Sequence, residues 1–174
     1  MKDNQDSFTH DSFIVNSKSV LSLSESALYR IVEQDPNNSI ALNNLATHLS
    51  CQGNLSDAEV FFERALQVAP EDESIAYNLA VVLMKRFNFI KALDVLLKLK
   101  PPVEIEPNVN LQIGTCLLAL HRYQEAVNYL LIASTGLPNS KEAHYNLFKA
   151  ASHSHNQALA AKAKAAYLEL SGMD

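Results

Sequence analysis

The sequence is poor in the residues from which chemical sites are usually built. It has two cysteines, Cys51 and Cys116, 65 positions apart, so it offers neither a disulfide framework nor a Cys-x-x-Cys metal or redox pair. Both are expected to be free, buried thiols in a reducing compartment. Glycine numbers only four, too few for a phosphate-cradling loop. Charged residues make up 19%, against roughly 25% in an average soluble domain, so part of the surface must be amide, hydroxyl or apolar. The charge that is present leans acidic, with 14 Lys and Arg against 19 Asp and Glu for a net −5. No basic run would attract a phosphate backbone, and a nucleic-acid partner is set aside. The longest weakly charged stretch, Pro107 to Leu120, contains Asn108, Asn110, Gln112 and Gly114. It falls short of the ~20 apolar residues of a membrane span. The start, with Asp3 and Asp6 and no apolar core, resembles neither a secretory signal nor a transit peptide, and a cytoplasmic location is expected.

What the sequence does have is a repeat. Pro70 and Pro138 are two periods of 34 apart, and the residues between them keep register. Counting from Ser39, Glu73, Pro107 and Lys141, position 20 is always alanine: Ala58, Ala92, Ala126 and Ala160. Position 8 reads Ala46, Ala80, Gly114 and Phe148; position 7 reads Leu45, Leu79, Ile113 and Leu147; position 11 reads Leu49, Leu83, Leu117 and Ala151. Positions 4, 7, 8 and 11 have the spacing of one amphipathic helix, and positions 20, 24 and 27 that of a second. Small residues at 8 and 20 let the helix axes approach, while Phe62, Leu96 and Leu130 at position 24 fill the space beside them.

Punctuation agrees with this register. Gly53-Asn54 breaks the first pair of helices, and Ser56-x-x-Glu59 reads as a capping box opening the next helix. Pro70, Pro101, Pro102 and Pro138 stop second helices, Pro107 suits a first turn, and Ser140 can cap a first helix. The later hairpins carry Phe87-Asn88 and His121-Arg122 instead of glycine, so Asn88 or Arg122 is expected in the left-handed position.

Leu42, Leu45, Ala46, Leu49, Gly53, Ala58, Phe62, Ala65 and Pro70 resemble the tetratricopeptide-repeat pattern position for position. The resemblance covers residues 39 to 140. It implies an all-α, right-handed superhelical solenoid of stacked antiparallel helix pairs, with repeats at 39–72, 73–106 and 107–140 and a degenerate capping repeat at 141–174. In that last repeat Phe148 and Lys164 break the small-then-large pattern, and the second helix packs inward through Leu159, Ala163, Ala166, Tyr167 and Leu170, with Lys162, Lys164 and Glu169 outward. One period upstream, residues 21–38 fit an N-terminal capping helix from about Leu23 to Gln34, opened by Ser22-x-x-Glu25. Residues 1–20 put Asp11 and Ser12 where the pattern wants an apolar and a small residue, and are expected to be a frayed helix or disordered.

No catalytic or cofactor chemistry is legible. Of the six histidines, His153 and His155 are two apart and His144 falls at core-facing position 4. A metal site is not expected at any of them. The expectation is a non-catalytic chain with neither metal nor cofactor. The informative surface is the one that tetratricopeptide first helices present to the concave side, through positions 2, 5, 6, 9 and 13. Position 6 is Asn44, Asn78, Gln112 and Asn146, an amide ladder able to bond a partner's backbone. Asn is a poor helix former, up to ~0.7 kcal/mol worse than Ala, so four amides at one phase suggest a use beyond solvation. Around the ladder stand Ile40, Asn43, Thr47, Tyr77, Val81, Lys85, Leu111, Thr115, Tyr145 and Lys149, of which Val81 and Leu111 can instead pack on neighbouring helices. The carboxylate-clamping members of the family need Lys and Asn on one first helix and Lys and Arg two helices on, where this chain has Asn43 and Thr47, then Asn108 and Gln112, which disfavours that ligand. The expected function is an adaptor or scaffold binding a segment of another protein, in an oligomeric state left open. The alternative is a small acidic secretion or assembly chaperone resembling the type III translocator chaperones.

Overall fold

The computed structural model describes residues 24–100 and 106–172. Among them the regular elements are all helices: α1 (Glu25–Gln34), α2 (Ser39–Cys51), α3 (Leu55–Val68), α4 (Glu73–Lys85), α5 (Phe89–Leu96), α6 (Glu106–Ala119), α7 (Tyr123–Gly136), α8 (Lys141–His153) and α9 (Gln157–Ser171). None is long and apolar enough to cross a membrane. The chain divides into two compact units between Ile75 and Ala76, within α4.

In the first unit, the Ser24 side chain accepts from the Ala27 amide at 3.3 Å and opens α1. Ser22, the expected cap, lies outside the described residues, as does the whole 1–20 segment. Asn38 caps α2 by accepting from the Ala41 amide at 2.9 Å. Leu42, Leu45, Ala46 and Leu49 of α2 and Ala58, Phe62 and Ala65 of α3 are buried, which is the expected interdigitation of positions 4, 7, 8 and 11 with 20, 24 and 27. Each large side chain so buried contributes roughly 1.5 to 3 kcal/mol. Tyr29 of α1 meets Phe61 of α3 edge to face, centroids 6.0 Å apart. The capping box at Ser56 does not form. The Asn54 carbonyl already accepts from the Ala58 amide at 3.1 Å, so α3 begins at Leu55 and Ser56 is inside it.

In the second unit, Asn88, Ser140 and Asn156 cap α5, α8 and α9, and Pro107 occupies the first turn of α6 as expected. Pro101 and Pro102 fall outside the described residues. Between α6 and α7 the approach is close: a Cβ on Gly114 would run into the Leu130 side chain, 2.6 Å from Cδ2. The α8–α9 pair solves the same problem in reverse. Bulky Phe148 stands at position 8, and at position 24 Lys164 lays its ammonium over the Phe148 ring, 5.9 Å from the centroid. Ala160 and Ala163 are buried while Lys162, Lys164 and Glu169 are exposed.

The four turns inside the helix pairs share one geometry. Position 15 is left-handed every time: Gly53 (φ 83), Phe87 (φ 60), His121 (φ 58) and His155 (φ 61). The amide of position 16 then donates to the carbonyl of position 11, at 2.9 Å (Asn54 to Leu49), 2.8 Å (Asn88 to Leu83), 2.8 Å (Arg122 to Leu117) and 2.9 Å (Asn156 to Ala151). This is the six-to-one bond of a Schellman ending, which fixes the left-handed residue one place before the donor. The expectation that Asn88 or Arg122 is left-handed is therefore corrected. Their φ values are −90 and −86, and each sits at the start of the following helix. In two of the turns a ring at position 17 supports the ring at 15: Phe87 with Phe89 (6.2 Å, 76°) and His121 with Tyr123 (5.7 Å, 67°). Edge-to-face contacts of this kind are worth about 0.5–1.5 kcal/mol, which offsets part of the left-handed strain.

Candidate protein-binding face

In the first unit, α2 presents Asn43, Asn44 and Thr47, all half-buried. The Thr47 hydroxyl is turned back on its own helix, donating to the Asn43 carbonyl at 2.8 Å. Ile40, on the same helix, is 71% exposed.

The other predicted site residues lie in the second unit, on α4, α6 and α8. They are not equivalent. Tyr77, Leu111 and Gln112 are buried, so they act from beneath the face and not on it. Asn78, Val81, Thr115 and Asn146 are half-buried, and Lys85, Tyr145 and Lys149 are exposed. Two of the ladder amides tie neighbouring first helices together. Gln112 of α6 hydrogen-bonds the Tyr77 hydroxyl of α4, and Asn146 Nδ2 of α8 donates to Thr115 Oγ1 of α6 at 3.0 Å. Thr115 in turn donates to the Leu111 carbonyl at 2.8 Å. A buried amide must be bonded, and here the bond is made sideways, from one repeat to the one before it. Burial pushes the Tyr77 hydroxyl up to about 12, with the Gln112 bond opposing and Glu142 adding to the rise. At the far edge Tyr145 packs against Tyr167 of α9, 5.2 Å between centroids, and the Lys149 ammonium lies 5.6 Å from the Tyr145 centroid. The resulting surface carries amide and hydroxyl groups, one aliphatic side chain, one aromatic ring and two lysines.

Nothing among the described residues gathers three His, Cys, Asp or Glu side chains into a metal-binding group. Cys116 is fully buried, and burial alone pushes its thiol up to about 12, which removes the thiolate that a nucleophile needs. Both cysteines are free, but Cys51 is exposed. The expectation of a buried thiol there is corrected, because the last residue of α2 has passed the packed stripe that ends at Leu49. His144 is half-buried, with Nε2 3.0 Å from the Pro138 carbonyl, and not a core side chain. One feature escaped the sequence reading. His153 stacks on Tyr123 (4.5 Å, 16°), and with His121, Arg122, Glu125 and His155 they line a hollow of about 290 Å³. The recurrence of rings at positions 15 and 17 was its only signal. Arg122 and Glu125 neutralise each other there through two hydrogen bonds of 2.7 Å.

Residues 51–133 match the family model described as anaphase-promoting complex, cyclosome, subunit 3. No curated protein matches the sequence. Among solved structures, YrrB, described as a TPR protein with an unusual peptide-binding site, superposes with a TM-score of 0.74 at 21% identity, over 84% of this chain and 76% of its own. MamA from Desulfovibrio magneticus RS-1 superposes with a TM-score of 0.78 at 18% identity, over 84% and 83%. A further MamA crystal structure gives 0.77 at 16% identity, over 85% and 86%. With the 34-residue register, the recurring Schellman turns and these superpositions in agreement, the described residues have the tetratricopeptide-repeat fold.

Proposed function

We propose that this protein is a non-catalytic adaptor that holds a segment of another protein against the first-helix face of its repeats. The observation that carries the reading is the bracing of α4, α6 and α8 by the Tyr77–Gln112 and Asn146–Thr115 bonds. A face held in place before binding loses less freedom on binding. Asn78, Val81, Lys85, Thr115, Tyr145, Asn146 and Lys149 form its surface, with Tyr77, Leu111 and Gln112 as its floor. Asn43, Asn44 and Thr47 are the corresponding residues of α2. The peptide-binding site named for YrrB supports the same use of the fold. The division into repeats 39–72, 73–106 and 107–140, capped by 21–38 and 141–174, and a cytoplasmic location belong to this reading.

The test is to capture the partner from the native cell, isolate the bound segment and titrate it calorimetrically. Asn78→Ala and Tyr145→Ala should each weaken binding while keeping full helix content. Each backbone hydrogen bond lost is worth about 0.5 to 1.5 kcal/mol. Added salt should change affinity little if amides and apolar anchors dominate. Unchanged affinity in both variants, with loss on Asn128→Ala or Leu131→Ala in α7, would refute the assignment.

A further inference from the structure

The Asn146 amide is held in one of its two orientations. The Thr115 hydroxyl has a single hydrogen, and that hydrogen goes to the Leu111 carbonyl at 2.8 Å. Toward Asn146, 3.0 Å away, the same oxygen can only accept, so the Nδ2 end of the amide faces it. A flipped amide would set Oδ1 against Thr115 Oγ1, two acceptors with no hydrogen between them. Oδ1 is left without a donor among the described residues. No buried side-chain nitrogen or oxygen among them lacks a partner, so Oδ1 of half-buried Asn146 is open to solvent. The lock is particular to this pair of helices. Position 9 of the preceding repeat is Val81, which has no acceptor, and Gln112 bonds the Tyr77 hydroxyl instead.

We propose that Thr115 is a positioning residue, which fixes the Asn146 amide so that Oδ1 accepts a backbone N–H from an extended partner segment. The proposal rests on the protein-binding face described above and adds the chemistry of what that face takes. A segment that covers Oδ1 removes it from water. It must then bring a donor of its own or leave a buried acceptor unpaired. In an extended chain every residue but proline has an N–H to offer. In a helix interior that N–H is already spent on the carbonyl four residues back.

The probe is the segment captured as above, made as a synthetic peptide, together with a series in which one backbone nitrogen at a time is methylated. All are titrated calorimetrically against the full chain. Thr115→Val keeps the shape of the side chain and removes its oxygen, whereas Thr115→Ser keeps the oxygen. The valine variant should bind about threefold to tenfold more weakly and the serine variant within about twofold of the parent, both with the helix content of the parent. One methylated peptide should be weakened by a similar factor against the parent and lose nothing further against Asn146→Ala. A Thr115→Val protein that binds like the parent, or a series in which no methylated position is coupled to Asn146, overturns the proposal. The face itself stands in that case if Asn78→Ala and Tyr145→Ala still weaken binding. If neither does, the face is refuted and this proposal falls with it. Should Thr115→Val unfold, the methylated series against Asn146→Ala decides.

Discussion

Replacing Gly53 by alanine and His155 by glycine should move stability in opposite directions. Both residues occupy position 15 of a Schellman turn, at φ 83 and φ 61. No atom lies within 4 Å of the place a Cβ would take at Gly53, so the cost of Gly53→Ala is purely one of backbone conformation. The left-handed region costs an L residue roughly 1–2 kcal/mol. Restricting the unfolded chain returns about 0.4–1 kcal/mol. The net is a loss of about 0.5–1.5 kcal/mol for Gly53→Ala and a gain of similar size for His155→Gly, whose imidazole is exposed. His121→Gly should gain less, because it also gives up the 5.7 Å contact with Tyr123. Urea titrations followed by circular dichroism would read these as shifts in midpoint at constant slope. If Gly53→Ala costs nothing, or His155→Gly destabilises, left-handed strain is not what distinguishes these turns.

Three further outcomes are expected. Gly114→Ala should destabilise by about 1–3 kcal/mol of overpacking less ~1 kcal/mol of helix propensity, and Leu130→Val, by yielding the space at 2.6 Å, should restore part of the loss in a double-mutant cycle. Alkaline stability should fall. The Cys116 thiol (9.0 to about 12) and the Tyr77 hydroxyl (10.0 to about 12) are both raised on folding, so above pH 9 the unfolded chain releases protons that the folded chain retains. Stability therefore drops between pH 9 and 12, and urea midpoints across that range in parent and Cys116→Ala should show a shallower fall in the variant. Removing residues 156–174 takes Tyr167 from Tyr145 and Lys164 from Phe148 and should lower the thermal midpoint of the remainder; an unchanged midpoint would show that α9 is not a cap.

The helices and their packing faces were legible because burial imposes the same constraint every 34 residues. Ala58, Ala92, Ala126 and Ala160 are all buried as position 20 requires. The turns were legible in phase but not in detail. Gly53 already marked position 15, and counting forward reaches Phe87, His121 and His155, yet the preference of Asn for the left-handed region drew the assignment to Asn88. The hydrogen-bonded frame of the turn overrides that preference. Side-chain pairing was the least legible part. Nothing in the pattern separates a half-buried amide such as Asn78 from Gln112, which is sunk against Tyr77. That difference depends on how closely α4 and α6 lie, a distance no linear spacing encodes. The Phe148–Lys164 exchange appeared as a departure from the family pattern, and only the 5.9 Å cation–ring contact explains how the last pair still packs.

If partners are held on the first-helix face, a residue-resolved amide shift map of the isotope-labelled protein with the captured segment will trace that face. Shifts are expected to cluster at Asn78, Val81, Lys85, Thr115, Tyr145, Asn146 and Lys149. Shifts confined to α7, at exposed residues such as Gln124, Asn128, Leu131, Ile132 and Thr135, would contradict it.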